Sequence, residues 1–169
     1  MNISIRTQAL SMKADAYVVK NPHETKNAYT KTDVRTATDA LNLTGEFSIA
    51  ELKNSLKEYD FTSVSTNELA NIGSLLYHNG LIGKDMVHFF ISGNMAFDER
   101  GHQTGKDVKF NAIAMFNQML DHRQTLGGSE SAVGFHEITK GLLRVNHAIG
   151  ALSYFAGSDQ NDLSVSIDA

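Results

Sequence analysis

The segment Phe135-His136-Glu137-Ile138-Thr139-Lys140-Gly141-Leu142-Leu143-Arg144-Val145-Asn146-His147-Ala148-Ile149-Gly150-Ala151-Leu152 decides the fold class. Its apolar rungs stand at Phe135, Ile138, Leu142, Val145, Ile149 and Leu152, in alternating steps of three and four. A helix turns once in 3.6 residues, so all six share one stripe. Six rungs fall short of the three to four heptads that define a free-standing coiled coil. The stripe is therefore expected to close against another helix of the same chain.

The residues before it supply that helix. Val108, Ala112, Met115, Met119 and Leu126 recur at helical spacing, and Ile113, Phe116 and Leu120 widen the face. This predicts a helix over about 108–126 with Asp107 as N-cap. Gly127-Gly128 ends it, and Ser129 or Ser131 starts the ladder helix, which runs to about Phe155. Two long helices with a short Gly-Gly connection read as an antiparallel αα-hairpin. Gly134, Gly141 and Gly150 each cost the second helix about 1 kcal/mol relative to Ala. Either a partner approaches closely there or the helix is softer at those points.

Further upstream, Ser48-Ile49-Ala50-Glu51 and Ser65-Thr66-Asn67-Glu68 both have the capping-box pattern. The first opens a helix ending near Tyr59, with Ile49, Leu52 and Leu56 on one face. The second carries Leu69, Ile72, Leu76 and Tyr77 and stops at Asn79-Gly80. A third helix is predicted over Lys84 to Ser92. Residues 93–107 then break the pattern with Gly93, Gly101 and Gly105, a long loop for a compact domain. Residues 1–46 are polar, with a short helix expected over Asp33 to Leu43, and read as a flexible, partly disordered arm. Residues 47–156 read as the helical domain and 157–169 as a disordered acidic tail. No region alternates with period two, so the class is all-α, a helical bundle.

Composition narrows the function. The chain has 169 residues and no Cys, which excludes disulfides, thiolate metal sites and a thiol nucleophile. A net charge of −4 opposes a broad nucleic-acid footprint. The charge is uneven: residues 1–44 carry six Lys/Arg and four Asp/Glu, and the acidic excess lies downstream. No apolar leader follows Met1, and the run Met86 to Ile91 is too short to span a bilayer. A cytoplasmic protein with no membrane or nucleic-acid partner is expected.

Chemistry-bearing patterns are sparse. No two of the seven histidines stand three or four apart, so no helix offers a two-histidine metal clamp. Asp85, His88 and Ser92 have the residue types of a hydrolytic triad, but they would project in parallel from one helix face instead of converging. Gly105-Lys106-Asp107 lacks the Ser or Thr a P-loop needs after Lys. The loop offers Asp98, Glu99, His102 and Asp107 as candidate ligands of a divalent cation. Their spacing departs from the EF-hand, so the loop reads equally as a solvated connector or a partner contact. No catalytic residue and no cofactor are implied. The candidate interaction residues are Phe135, Ile138, Leu142 and Val145, with Gly134, Gly141 and Gly150 between them, and Met115 and Met119 opposite. Methionine suits adaptable interfaces as well as cores.

Two resemblances add to this. Tyr59-Asp60-Phe61, Ser65 to Leu69, Gly73, Leu76-Tyr77, Asn79-Gly80 and Ile82 resemble a pattern in small helical bacterial proteins that lack an assigned function. The likeness covers about residues 47–92 and, loosely, 107–155; it implies further helices and a closing helical pair, and carries over no catalytic residue. Residues 2–14 hold no Asp or Glu and are polar and amphipathic. They are similar to the leading segments of proteins exported by bacterial type III machines, which implies an effector or a flagellum-associated protein. The expected function is a non-enzymatic protein–protein interaction module of bacterial origin, with self-association in view. Export is the first alternative, and an enzyme or metal-binder using loop 93–107 the second.

Overall fold

Capping chemistry sets the helix starts. A computed structural model describes residues 10–43, 47–126 and 133–165, with side chains at all of these except Val133 and residues 159–165. Its elements are α1 (Val34–Ala40), α2 (Ile49–Leu56), β1 (Val64–Ser65), α3 (Thr66–His78), α4 (Lys84–Ser92), β2 (Lys109–Phe110), α5 (Ala112–Leu126) and α6 (Val133–Val165). The Ser48 and Ser65 hydroxyls accept from the Glu51 and Glu68 N–H groups, and each Glu reaches back to its cap residue's own N–H. Each box satisfies two backbone donors that the helix leaves unpaired. Asp33 caps α1 by accepting from the Thr36 N–H at 2.9 Å.

The described chain is thus mostly helical, with one small sheet. Its two short strands pair antiparallel, Val64 opposite Phe110 and Ser65 opposite Lys109. This sheet, absent from the all-α expectation, also moves the start of α5. Residues 109–110 are extended, so the helix begins at Ala112 and Asp107 does not cap it. Asn111 does: its Oδ1 accepts from the Ala114 N–H at 3.0 Å. Asp107 instead accepts from the Asn67 amide at 2.7 Å, and Val108 is exposed. A two-residue strand is too short to show alternation, and so left no period-two signal.

α6 forms one wall of the core. It packs against α1, α2, α4 and α5, and α3 packs against α4. Phe61, Phe90, Phe116 and Phe155 are buried at the centre, with the Phe90 and Phe116 ring centroids 6.4 Å apart. α3 and α4 meet at Gly73, where a Cβ would overlap the Phe90 side chain. Between α5 and α6, Arg123 bonds to Thr139 and to the Phe135 carbonyl, while the buried Asn146 amide donates to the Phe116 carbonyl at 3.0 Å. The contacts run in opposite chain order on the two helices. The connection with Gly127-Gly128, Ser129 and Ser131 lies outside the described residues, as do residues 1–9, Gly45 and 166–169. The α6 backbone passes Phe155 and Gly157 and stays helical to Val165, well into the segment expected to be disordered.

Residues 10–43, read from the sequence as an arm, lie against the bundle and are bonded to it. The Met12 and Ala14 N–H groups donate to the Glu99 and Phe97 carbonyls, and Tyr17 donates to Asn94. Two α5 amides then take over. Gln118 accepts from the Lys20 N–H at 2.7 Å and donates to the Val18 carbonyl at 2.8 Å. Asn111 donates to the Pro22 and Glu24 carbonyls at 3.0 and 2.7 Å. Side chains join these backbone bonds: Ala37 and Leu41 are buried in the core, and Tyr17, Val19 and Tyr29 pack against it. The apolar residues ahead of α1 are too few and too irregularly spaced for periodicity to reveal the attachment.

Candidate functional site

Loop 93–107 is an organised turn. Phe97 bridges Ala14 on one side and Gln103 on the other, both antiparallel. The Asp98 Oδ1 accepts from the Arg100 and His102 N–H groups, each at 2.9 Å, and the His102 Nδ1 lies 3.4 Å from its Oδ2. These bonds, the His102 N–H first, hold the Asp98 carboxyl below its ordinary pKa. Both oxygens are thus engaged within the turn. Glu99 points to solvent, and Asp107 is tied to Asn67 on α3. Among the described residues no group of three or more Asp, Glu or His is placed to hold a metal ion. The structure therefore does not bring the four candidate ligands together. Nor does it assemble the Asp85, His88, Ser92 set: the Asp85 carboxylate pairs with Arg144 of α6 at 2.7 Å.

The ladder divides in two. Leu142, Val145, Ile149 and Leu152 are buried in the core. Phe135 is half-buried, its ring under the Arg123 guanidinium 4.3 Å away, and Ile138 is 48% exposed. Met115 is fully buried and Met119 half-buried, which places both in the packing of α5. The three glycines also separate. A Cβ on Gly141 would stand 3.3 Å from the Asp85 carbonyl oxygen and from the Phe89 ring, so α4 crosses there. One on Gly150 would overlap the Tyr29 carbonyl oxygen, and one on Gly134 would touch nothing within 4 Å.

A further cluster has no sequence signature, because its members lie 116 residues apart. The Lys31 Nζ sits 2.8 Å from the His147 Nδ1, and the Tyr29 ring stands edge-on to His147 at 4.9 Å. An ammonium group can only donate, so Nδ1 accepts and the ring carries its proton on Nε2. Burial pushes the His147 imidazole below its ordinary pKa, and the Lys31 charge pushes it the same way. Burial likewise lowers Lys31, with Asp33 opposing. This pair sits in the wall of a cleft of about 410 Å³ between α1, α4 and α6, which Arg144, Asp39 and Met86 also line. A smaller cleft of about 170 Å³ adjoins Lys31 from the other side.

Comparison with protein-family models, with curated proteins and with solved structures returns no match for this chain. No helix among the described residues is long and apolar enough to cross a membrane.

Proposed function

We propose that this chain is a non-enzymatic bacterial protein that works by binding another protein through the exposed face of α6 at Ile138. One observation supports this above the others: the ladder spacing continues past the core. Phe135 and Ile138 keep the three-four register of the buried rungs, yet Ile138 is 48% exposed. An apolar side chain in register with the buried rungs but open to solvent is suited to meet an apolar helix from a second molecule. Glu137 and Lys140 flank it with opposite charges and would set the register of such a helix.

The test is capture from the native host at endogenous expression, run in parallel with Ile138→Asp. A protein recovered by the wild type and lost with the variant, at unchanged melting temperature, is the expected result. No specific partner, together with a monomer in light scattering, overturns the proposal. A light-scattering dimer abolished by Ile138→Asp makes the second molecule another copy of this chain.

Export by a type III apparatus is the second reading, and a cytoplasmic protein its rival. It is supported by the acid-free start and by Leu10 and Met12, which are 92% and 66% exposed. Deleting residues 2–14 should abolish secretion of a reporter fusion; unchanged secretion removes the idea.

A further inference from the structure

The Lys31–His147 pair is unusual in what it lacks. The ion pairs among the described residues are His102–Asp98, Lys109–Glu68 and Arg144–Asp85. Lys31 therefore has a ring nitrogen, and not a carboxylate, as its hydrogen-bond partner. An ammonium carries three donors, and His147 accepts only one. The Arg144 guanidinium opens on the same cleft, and its bond to Asp85 uses one of five donors. Leu81, Met86 and Ala40 give the cleft an apolar lining. Its volume of about 410 Å³ falls in the range of small-molecule sites.

We propose that this cleft binds a small oxyanion, a carboxylate or phosphate on a compact apolar body, held by Lys31, His147 and Arg144. The anion would accept from the free donors of Lys31 and Arg144. It would also let His147 take up a proton, because a negative charge between the two bases removes the penalty for charging both. Around His147 stand Lys31 and Tyr29 from the arm, Asp33 acting on Lys31 from the start of α1, and Asp39 and Arg144 in the cleft lining, with Asp85 of α4 bonded to Arg144. Among the described residues Asp39 lines the cleft, Asp33 acts on Lys31 and Asp85 pairs with Arg144, so an anion would be held by the unused donors of Lys31 and Arg144 and not by a net positive charge. The site does not depend on the apolar seam at Ile138, so either proposal can fail without the other.

The experiment is a proton NMR titration of the full chain, with the His147 ring signal assigned by its loss in His147→Gln. Inorganic phosphate and acetate are added separately at constant ionic strength, with chloride as control. The expected result is a saturable shift of the His147 signal and an upward move of its pKa, with chloride producing neither. Response to phosphate alone assigns a phosphoryl group, and response to acetate a carboxylate. Removing one charge-assisted donor, in Lys31→Met, should weaken the response about tenfold or more. Where amide dispersion shows that Lys31→Met does not fold, Arg144→Gln serves the same purpose. A His147 signal unmoved by either anion overturns the proposal. So does a response undiminished in a folded Lys31→Met or Arg144→Gln protein.

Discussion

Replacing Gly150 by Ala tests how the arm is held, because the two relevant effects have opposite signs. In the interior of α6 the exchange should stabilise the helix by about 1 kcal/mol. A Cβ at this position, however, would overlap the Tyr29 carbonyl oxygen and lie 3.0 Å from its carbon, too close for any real contact. Both atoms are backbone, so no side-chain rotation relieves the clash and the arm must lift. Lifting it breaks the Lys31–His147 hydrogen bond, worth about 1 kcal/mol net. It also separates Tyr29 from the His147 ring, an edge contact worth about 0.5–1.5 kcal/mol. The net effect is a destabilisation of about 1 kcal/mol, which lowers the melting temperature of a chain this size by about 2–4 °C. Calorimetry and urea titration measure it, and amide exchange at Tyr29 and Thr30 should quicken. Gly134→Ala is the internal control, since a Cβ there touches nothing within 4 Å and the midpoint should hold or rise. A Gly150→Ala protein as stable as the wild type would refute the docking of the arm on α6.

Further outcomes follow from other contacts. His147 is held below its ordinary value of 6.5, so between that lowered value and 6.5 the unfolded chain binds a proton the native chain does not. Stability is therefore lost as pH falls through that window, and His147→Gln should flatten that part of the pH–stability curve. Glu68 is lowered from 4.5, chiefly by the Lys109 ammonium and then by the Ser65 N–H. Its contribution is present above 4.5 and lost as pH falls through its folded value; Lys109→Met should reduce this acid sensitivity at a cost of at most about 1 kcal/mol near neutrality, because the pair is half-exposed. Asn146→Ala leaves the buried Phe116 carbonyl without its side-chain donor and should cost about 1–3 kcal/mol in urea denaturation. Divalent cations should leave the melting temperature unchanged, and a stabilisation abolished by Asp98→Asn would show that the turn is a metal site after all.

What could be read from the chain divides along physical lines. The α2 and α3 starts were legible because a capping box is local, with donor and acceptor three residues apart. α4 was legible at both ends because Gly83 and Gly93 bound a short apolar run. The start of α5 was misplaced because Asp107 and Asn111 are both competent caps, and pairing with β1 takes residues 109–110 out of the helix. The burial of Leu142, Val145, Ile149 and Leu152 followed from spacing, whereas Ile138 has the same spacing and opens to solvent. Periodicity names a face but not how much of each rung the opposing helix covers: α5 reaches Phe135 and Thr139 through Arg123 and still leaves Ile138 open. The Lys31–His147 cleft was invisible for a different reason: a lysine in a polar arm and a histidine on a helix each look like surface residues until the fold superposes them.

The route of the arm also bears on the order of events at the ribosome. Its holding points are Asn94, Phe97, Glu99, Asn111, Gln118 and His147, all made after it. At about 5–20 residues per second, Lys31 is synthesised roughly 6–23 s before His147, 116 residues later. Residues 10–31 therefore spend most of translation without their docking surface. They are made long before the surface that holds them, and for that interval they are open to any factor that reads an extended, polar peptide.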